Sequence, residues 1–408
     1  MNRRQFLLHS GSAAAGLALP WRVWALPAGG EASRSRLLVV LLRGAYDSAS
    51  LLAPHGFPYY YASRPNIAIA KPDTANAVSA LDIGHGYGLH PATSTLYKLF
   101  QARQAALVPF SGSQDTSRSH FQAQDVMELG QSPKDKGGLD YTSGFLNRLV
   151  AVLQNKDTRM SGMSFTNNLT PVFKGKVEVP NINLQGQVHN IANDRPTKMI
   201  EALYQGNALE DYIKEGIQTR QQVSAMLDME MQNASRGAAK ASGFEKQAHS
   251  IAALMRDNPA YAVGFVDVGG WDTHVNQGAA TGALATNLGN LSNGLSGFAD
   301  ELGTAAWRNT VVVVMSEFGR TFHENGNRGT DHGHGSTMWI LGGGISGGKL
   351  AGEQTDLNEK TLFQNRDFPV LNDYRAVLSQ IVQRLYGLNT AQLEKIFPGS
   401  SVANLNII

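Results

Sequence analysis

"TVVVVMSEFGRTFHENGNRGTDHGHGST", residues 310–337, decides how the chain is read. Residues 310–314 are an unbroken β-branched run, the signature of a strand covered on both faces. The rest of the stretch is opposite in character: Glu317, Asp331, His332 and His334 are set among closely spaced glycines. A polar, glycine-rich segment directly after a buried strand is either a solvated loop or a site. In open parallel sheets, ligand sites form beyond the carboxyl ends of the strands.

The same arrangement occurs twice upstream. "SRLLVVLLRGAYDSASLLAP" carries an apolar run at 37–42, then Arg43, Gly44 and Asp47. "YAVGFVDVGGWDTHVNQG" carries a strand at 261–270, with Asp267, Asp272 and His274 at its end. Between them, "LHPATSTLYKLFQARQAALVPFSGSQ" reads as a helix followed by a short apolar strand, and "TSRSHFQAQDVMELG" (116–130) as a helix with a hydroxyl N-cap and Gly130 at its C-terminus. "ALATNLGNLSNGLSGFADELG" repeats Leu at three- and four-residue intervals, as an amphipathic helix does. "STMWILGGG" is a further strand and "DYRAVLSQIVQRLYGL" a closing helix. Strands alternating with helices predict an α/β fold, an α/β/α sandwich with a mostly parallel central sheet. Residues 197–256 read as a helical cap or insertion, and nothing divides residues 26–408 into separate domains.

Bulk composition narrows the function classes. With 408 residues and 42% hydrophobic content, the chain can bury a large core. A net charge of +2 gives no electrostatic case for nucleic acid or an anionic membrane. There is no Cys, so a metal would have to be held by His, Asp and Glu. Residues 1–25 read as a twin-arginine export signal: Arg3 and Arg4, a mildly apolar Ala/Gly run, and small residues near Ala25. No later segment approaches the ~20 apolar residues that span a bilayer. The expected location is therefore periplasmic or secreted.

The strand ends supply the chemistry. Asp47, Asp272, His274, Glu317, Asp331, His332 and His334 are the candidate metal ligands, a mixed carboxylate and imidazole set that suits Zn or Mn, with Ca or Mg at an oxygen-rich site. Two such ions a few ångströms apart bind a phosphoryl or sulfuryl oxygen and activate a nucleophile. Each motif also has a plainer reading: "DTH" as a capped turn, "HGH" as a solvated loop, Glu317 as an ion-pair partner of Arg320. Ser119 is the candidate nucleophile at a helix N-terminus, with Arg118 and His120 beside it to bind an anionic group, and Arg43 as a second anion ligand. The alternative is that these hydroxyls cap the helix.

The order of these motifs, from the paired-arginine leader through "LLRGAYDSASLLAP", "SRSHFQAQDVMELG", "VGGWDTHVNQG", "VVVVMSEFGRT" and "GTDHGHGSTMWILGGG" to "DYRAVL", resembles a mostly bacterial family of exported proteins. That family is a domain of unknown function placed beside the sulfatases in the alkaline phosphatase superfamily. The resemblance implies an alkaline phosphatase-like fold and two-metal hydrolysis of phosphate or sulfate esters. It implies a metal-bridging role for Asp47, one metal site at Asp272 and His274, and an accessory magnesium role for Asp267. Glu317 then stands for the Asp of a strand-end Asp-His pair whose His is replaced by Phe318. His332 or His334 stands for the final His, with Asp331 and His332 as an alternative displaced pair. The resemblance leaves two functions open: an exported metal-dependent hydrolase acting on a small anionic ester, or a non-catalytic accessory protein on the same scaffold whose partner is a co-exported protein.

Overall fold

The computed structural model describes residues 35–132, 138–167, 169–184, 203–207, 209–216 and 243–408. The leader at 1–25 lies outside them. Besides short helical turns, the chain runs through β1 (Arg36–Leu42), β2 (Leu52–Ala53), β3 (Leu81–Gly84), β4 (Tyr87–Leu89), α1 (Ser94–Gln101), β5 (Ala105–Gly112), α2 (His120–Leu129), α3 (Phe145–Gln154), β6 (Ser161–Ser164), α4 (Phe244–Asp257), β7 (Tyr261–Val268), α5 (Ala283–Trp307), β8 (Thr310–Ser316), β9 (Ser336–Leu341), β10 (Lys349–Leu350), β11 (Asn372–Asp373), α6 (Tyr374–Tyr386) and α7 (Thr390–Ile396).

β1 shows why the sheet is sandwiched. All seven of its residues are buried. Leu38, Val40 and Leu42 enter one apolar cluster, and Leu37, Val39 and Leu41 enter the other. The first cluster takes Phe100 from α1, Phe244 and Ile251 from α4, and Leu284, Leu288, Leu295 and Phe298 from α5. The second takes Met127 from α2, Phe145 and Leu149 from α3, Val377 and Ile381 from α6, and Ile396 from α7. Full burial of one such Leu or Phe side chain contributes roughly 1.5–3 kcal/mol. The helices stop where local chemistry dictates. α6 begins with the Asp373 carboxylate accepting from Arg375 N–H and ends at Gly387 in the left-handed region, φ 60°.

The main sheet has eight strands, ordered β10-β5-β9-β8-β1-β7-β6, with β11 also beside β5. A separate antiparallel sheet holds β2, β4 and β3. β1 lies parallel to β7 and β8, β6 to β7, and β10 and β11 to β5. The expected α/β architecture, a mostly parallel sheet between helical layers, is the one observed. β9 departs from the rule, being antiparallel to both β5 and β8. The reason is the connection before it. Residues 317–335 return along the same rim of the sheet instead of crossing it by a helix, and a parallel neighbour needs such a crossover. The carboxyl ends of β1, β5, β7 and β8 and the start of β9 therefore share one edge.

Of the expected helical cap at 197–256, residues 210–216 are helical and mostly exposed. The last part of that segment belongs to α4, whose Phe244, Ala248, Ile251, Leu254 and Met255 are buried against the sheet and α5. Residues 197–202, 208 and 217–242 lie outside the described residues. Among the described residues no helix is long and apolar enough to cross a membrane.

Candidate metal centre

Four side chains converge on the shared edge. His120 is the first residue of α2, just beyond β5. Asp272 and His274 come after β7, and His332 lies in the loop between β8 and β9. His120 Nε2 is 2.9 Å from His332 Nε2, and His274 Nε2 is 3.1 Å from the same atom. The Asp272 carboxylate lies 2.9 Å from His274 Nε2, 3.4 Å from His332 Nε2 and 3.6 Å from His120 Nε2. His120, Asp272 and His332 form a group that can hold a metal ion.

The partners behind each ring explain the convergence. His120 Nδ1 faces Glu317 Oε1 at 2.8 Å, His274 Nδ1 faces Asp331 Oδ1 at 3.1 Å, and His332 Nδ1 faces the Arg118 carbonyl at 2.9 Å. Carbonyl and carboxylate oxygens only accept, so each ring carries its proton on Nδ1 and turns an Nε2 lone pair inward. Lone pairs facing one another at hydrogen-bond distance repel unless a proton or a cation sits between them. Donors around a tetrahedral ion at ~2.0–2.1 Å stand roughly 3.3–3.4 Å apart, so His120, Asp272 and His332 fit one cation, with His274 Nε2 beside them. Oriented imidazoles with acceptor-bound Nδ1 are the usual outer support of such a site.

Charge is distributed to match. The hydrogen bond to Glu317 pushes the His120 imidazole above its ordinary value. Burial pushes His332 below its own. Burial works against charge on Asp272, but the Arg320 guanidinium holds its carboxyl below the usual range. Arg320 is buried and also donates to the carbonyls of Gly44, Ala45 and Thr330, which fixes it behind Asp272. Its Nη1 reaches His274 Nε2 at 3.3 Å, the long end of its contacts. Phe318 stacks on His120 at 5.0 Å between ring centroids and lies 5.2 Å from the His332 ring, closing the floor.

Backbone geometry makes this approach possible at two points. Gly44 has φ 115°, and a Cβ there would lie 2.7 Å from the Asp272 nitrogen. Its own N–H donates to Glu317 Oε1 at 2.8 Å. Arg118 adopts φ 52°, a strained conformation for a side chain of this size, and in it presents its carbonyl to His332.

A protein-family model described as "Protein of unknown function (DUF1501)" matches residues 34–397. The chain belongs to the DUF1501 family. A search of curated proteins returned no match. Two solved structures are similar to this DUF1501 chain. The lipoteichoic acid synthase LtaP from Listeria monocytogenes has 9% identity and a TM-score of 0.40, covering 91% of this chain and 75% of that one. Ps i-CgsB, solved in complex with k-i-k-neocarrahexaose, has 10% identity and a TM-score of 0.38, covering 88% and 74% respectively. Neither is near enough in sequence or superposition to bear on what the DUF1501 chain does.

Among the expected ligands, Asp272, His274 and His332 are brought together, and His120, expected as an anion binder, joins them as a fourth donor. The other four are placed differently. Asp47 is buried and its carboxylate is saturated: Arg64 at 2.5 and 3.0 Å, Ser50 Oγ at 2.7 Å, Gln277 Nε2 at 2.8 Å and Ala49 N at 3.2 Å. No lone pair remains for an ion, so the expected bridging role is not supported. Glu317 is likewise spent on Gly44 N–H, His120, Gln124 and Ser316, and orients a ligand instead of being one. The plainer reading of Glu317 as a partner of Arg320 does not hold; Arg320 takes Asp272. Asp331 supports His274 from behind. His334 packs its ring 4.5 Å from that of Phe363, apart from the donor group.

Of the catalytic candidates in this DUF1501 chain, Ser119 occupies the N-cap of α2 but makes no side-chain capping bond. Arg118 is engaged by Asp367 and Gln364. Arg43 is held by Asp267, Glu128 and Gln124 at 2.6–2.9 Å, which also accounts for Asp267. His90 caps a turn, accepting from Ala92 N–H. Sequence reading missed Arg64 and Gln277, and gave Arg320 the wrong partner. No spacing rule links them to Asp47 or Asp272; only the adjacency of strand ends does.

Proposed function

We propose that this protein is an exported, metal-dependent hydrolase of phosphate or sulfate esters, with one cation held by His120, Asp272, His274 and His332. The observation that carries the reading is the inward convergence of three imidazole Nε2 atoms and one carboxylate, each Nδ1 being committed to an acceptor. Structural metal sites are closed, whereas catalytic ones keep a face open. Here the four donor side chains retain 23–46% exposure, which favours the open kind. Three imidazoles favour zinc over calcium or magnesium. When bound, such an ion supplies Lewis-acid polarisation of an ester oxygen. The chain's own residues do the rest. Ser119 offers an uncapped hydroxyl beside His120, and Arg366, 38% exposed and bonded to the His332 carbonyl, brings positive charge close to the donors.

Elemental analysis of protein purified without chelator tests this. About one transition-metal equivalent per chain is expected, together with turnover of aryl phosphates or sulfates. Folded, metal-free protein from metal-replete cells would overturn it. A second reading draws on a specific observation: Asp47 is saturated and Phe318 stands where a ligand is expected, so the two-metal apparatus is incomplete. The protein would then be an accessory factor for a co-exported partner. Blank ester screens with the metal still bound would favour it.

A further inference from the structure

Asp367 plays no part in the donor group, yet its placement is unusual. Its side chain is completely buried, one oxygen receives Arg118 and the other has no hydrogen-bond partner among the described residues. Arg118 reaches that first oxygen through Nε at 3.1 Å and Nη2 at 2.6 Å. Arg366 Nη1 lies 3.6 Å from the same oxygen. Both arginines also hold His332. The Arg118 carbonyl accepts from His332 Nδ1–H at 2.9 Å, and Arg366 Nη2 donates to the His332 carbonyl at 2.9 Å. His332 is thus gripped at its ring and at its backbone by two residues that share one buried carboxylate.

A buried carboxylate with one oxygen unpartnered is costly, and a backbone at φ 52° on an arginine is strained. Either feature would be removed by a simple substitution unless something required it. Pairing the two makes sense of both. The charge on Asp367 fixes the Arg118 side chain, which holds that residue in the strained conformation, and in that conformation its carbonyl points at His332. The surrounding backbone stitches the anchor to the site loop: Phe322 N–H donates to the Arg366 carbonyl at 3.0 Å and Gly335 N–H to the Phe368 carbonyl at 2.7 Å.

We propose that Asp367 is a positioning residue for the centre: through Arg118 and Arg366 it sets the tautomer and aim of His332 and so the affinity of the site for its cation. This rests on the proposed metal-binding role of the centre. The test is a Zn²⁺ titration of the chelator-stripped full chain against a chromophoric competitor, with thermal unfolding of each protein recorded in chelator. Asp367→Asn keeps the shape and removes the charge. It is expected to weaken Zn²⁺ binding by about 10–100-fold, the usual loss on removing an outer-shell support, with metal-free unfolding cooperative and little shifted. Arg366→Gln, at a side chain 38% exposed, cannot collapse the core and is expected to lower affinity about 3–10-fold. It decides the matter if Asp367→Asn fails to fold. Wild-type affinity in both variants would overturn the positioning role while leaving the metal centre intact. Absence of Zn²⁺ binding in the wild type would remove the centre and this role with it.

Discussion

Asp47 and Asp272 leave the same rim of the sheet, one after β1 and the other after β7, and end in opposite circumstances. Asp47 is 1% exposed, with Arg64 gripping both of its oxygens. The Asp272 side chain is 46% exposed, with Arg320 on one oxygen and His120 facing the other at 3.6 Å. The functional group and the strand-end placement are shared. The difference is whether a guanidinium consumes the carboxylate or only steadies it. A strand-end acid is therefore a ligand or a strut according to the reach of one arginine.

The sharpest way to break the comparison is to remove the consuming arginine. Arg64→Met should leave Asp47 as an unpaired buried charge and cost about 3–5 kcal/mol in urea unfolding. A loss much below that would mean Asp47 is not dependent on the pair. The open acid should respond in a different observable. Asp272→Ala should lower metal affinity by about 100-fold or more, some 2.7 kcal/mol, as read by competitive titration. Gly44 lies between the two sites, and Gly44→Ala should cost roughly 1–3 kcal/mol, because the new Cβ is strained at this φ and meets the Asp272 backbone. It should also reduce metal content, since it displaces one partner of Glu317.

Acid separates the two carboxylates further. Burial works against the charge on Asp47, but Arg64 holds its folded-state pKa below the ordinary value of 3.8. Its contribution is thus fully present above that ordinary value and is lost as pH falls through the lower, folded one. Urea midpoints measured from pH 7 downward should fall below about pH 4 in the wild type and fall less steeply in Asp47→Asn. The smallest effect is expected at His334. His334→Gln should leave metal affinity within about twofold of wild type, because the ring packs on Phe363 outside the donor group.

How much of this was legible in the sequence divides along the same line. The unbroken apolar runs at 37–42 and 310–314 marked buried central strands because burial on both faces leaves no alternation to hide. The leucine spacing of α5 and the capped, glycine-stopped α6 were likewise local and readable. The direction of β9 was not, since side-chain periodicity is the same for either orientation. In the site, Asp272, His274 and His332 were visible as metal-ligand types at strand ends. The roles of Glu317 and His120 were not, because each is set by partners far along the chain, Glu317 being 197 residues from His120; that of Asp47 was not, because no spacing rule pairs it with Arg64, 17 residues on. Asp367 carried no signal at all, its neighbours being ordinary loop residues.

The donors of the centre also lie far apart along the chain, with His120 and His332 separated by 212 residues and His274 and His332 by 58. Closing loops of that size costs entropy before any coordination can reward it. No early collapsed fragment can gather the full set, so on the proposed reading ion capture would come at the last stage of maturation. A loaded centre would certify that the β5, β7 and β8 ends have all arrived.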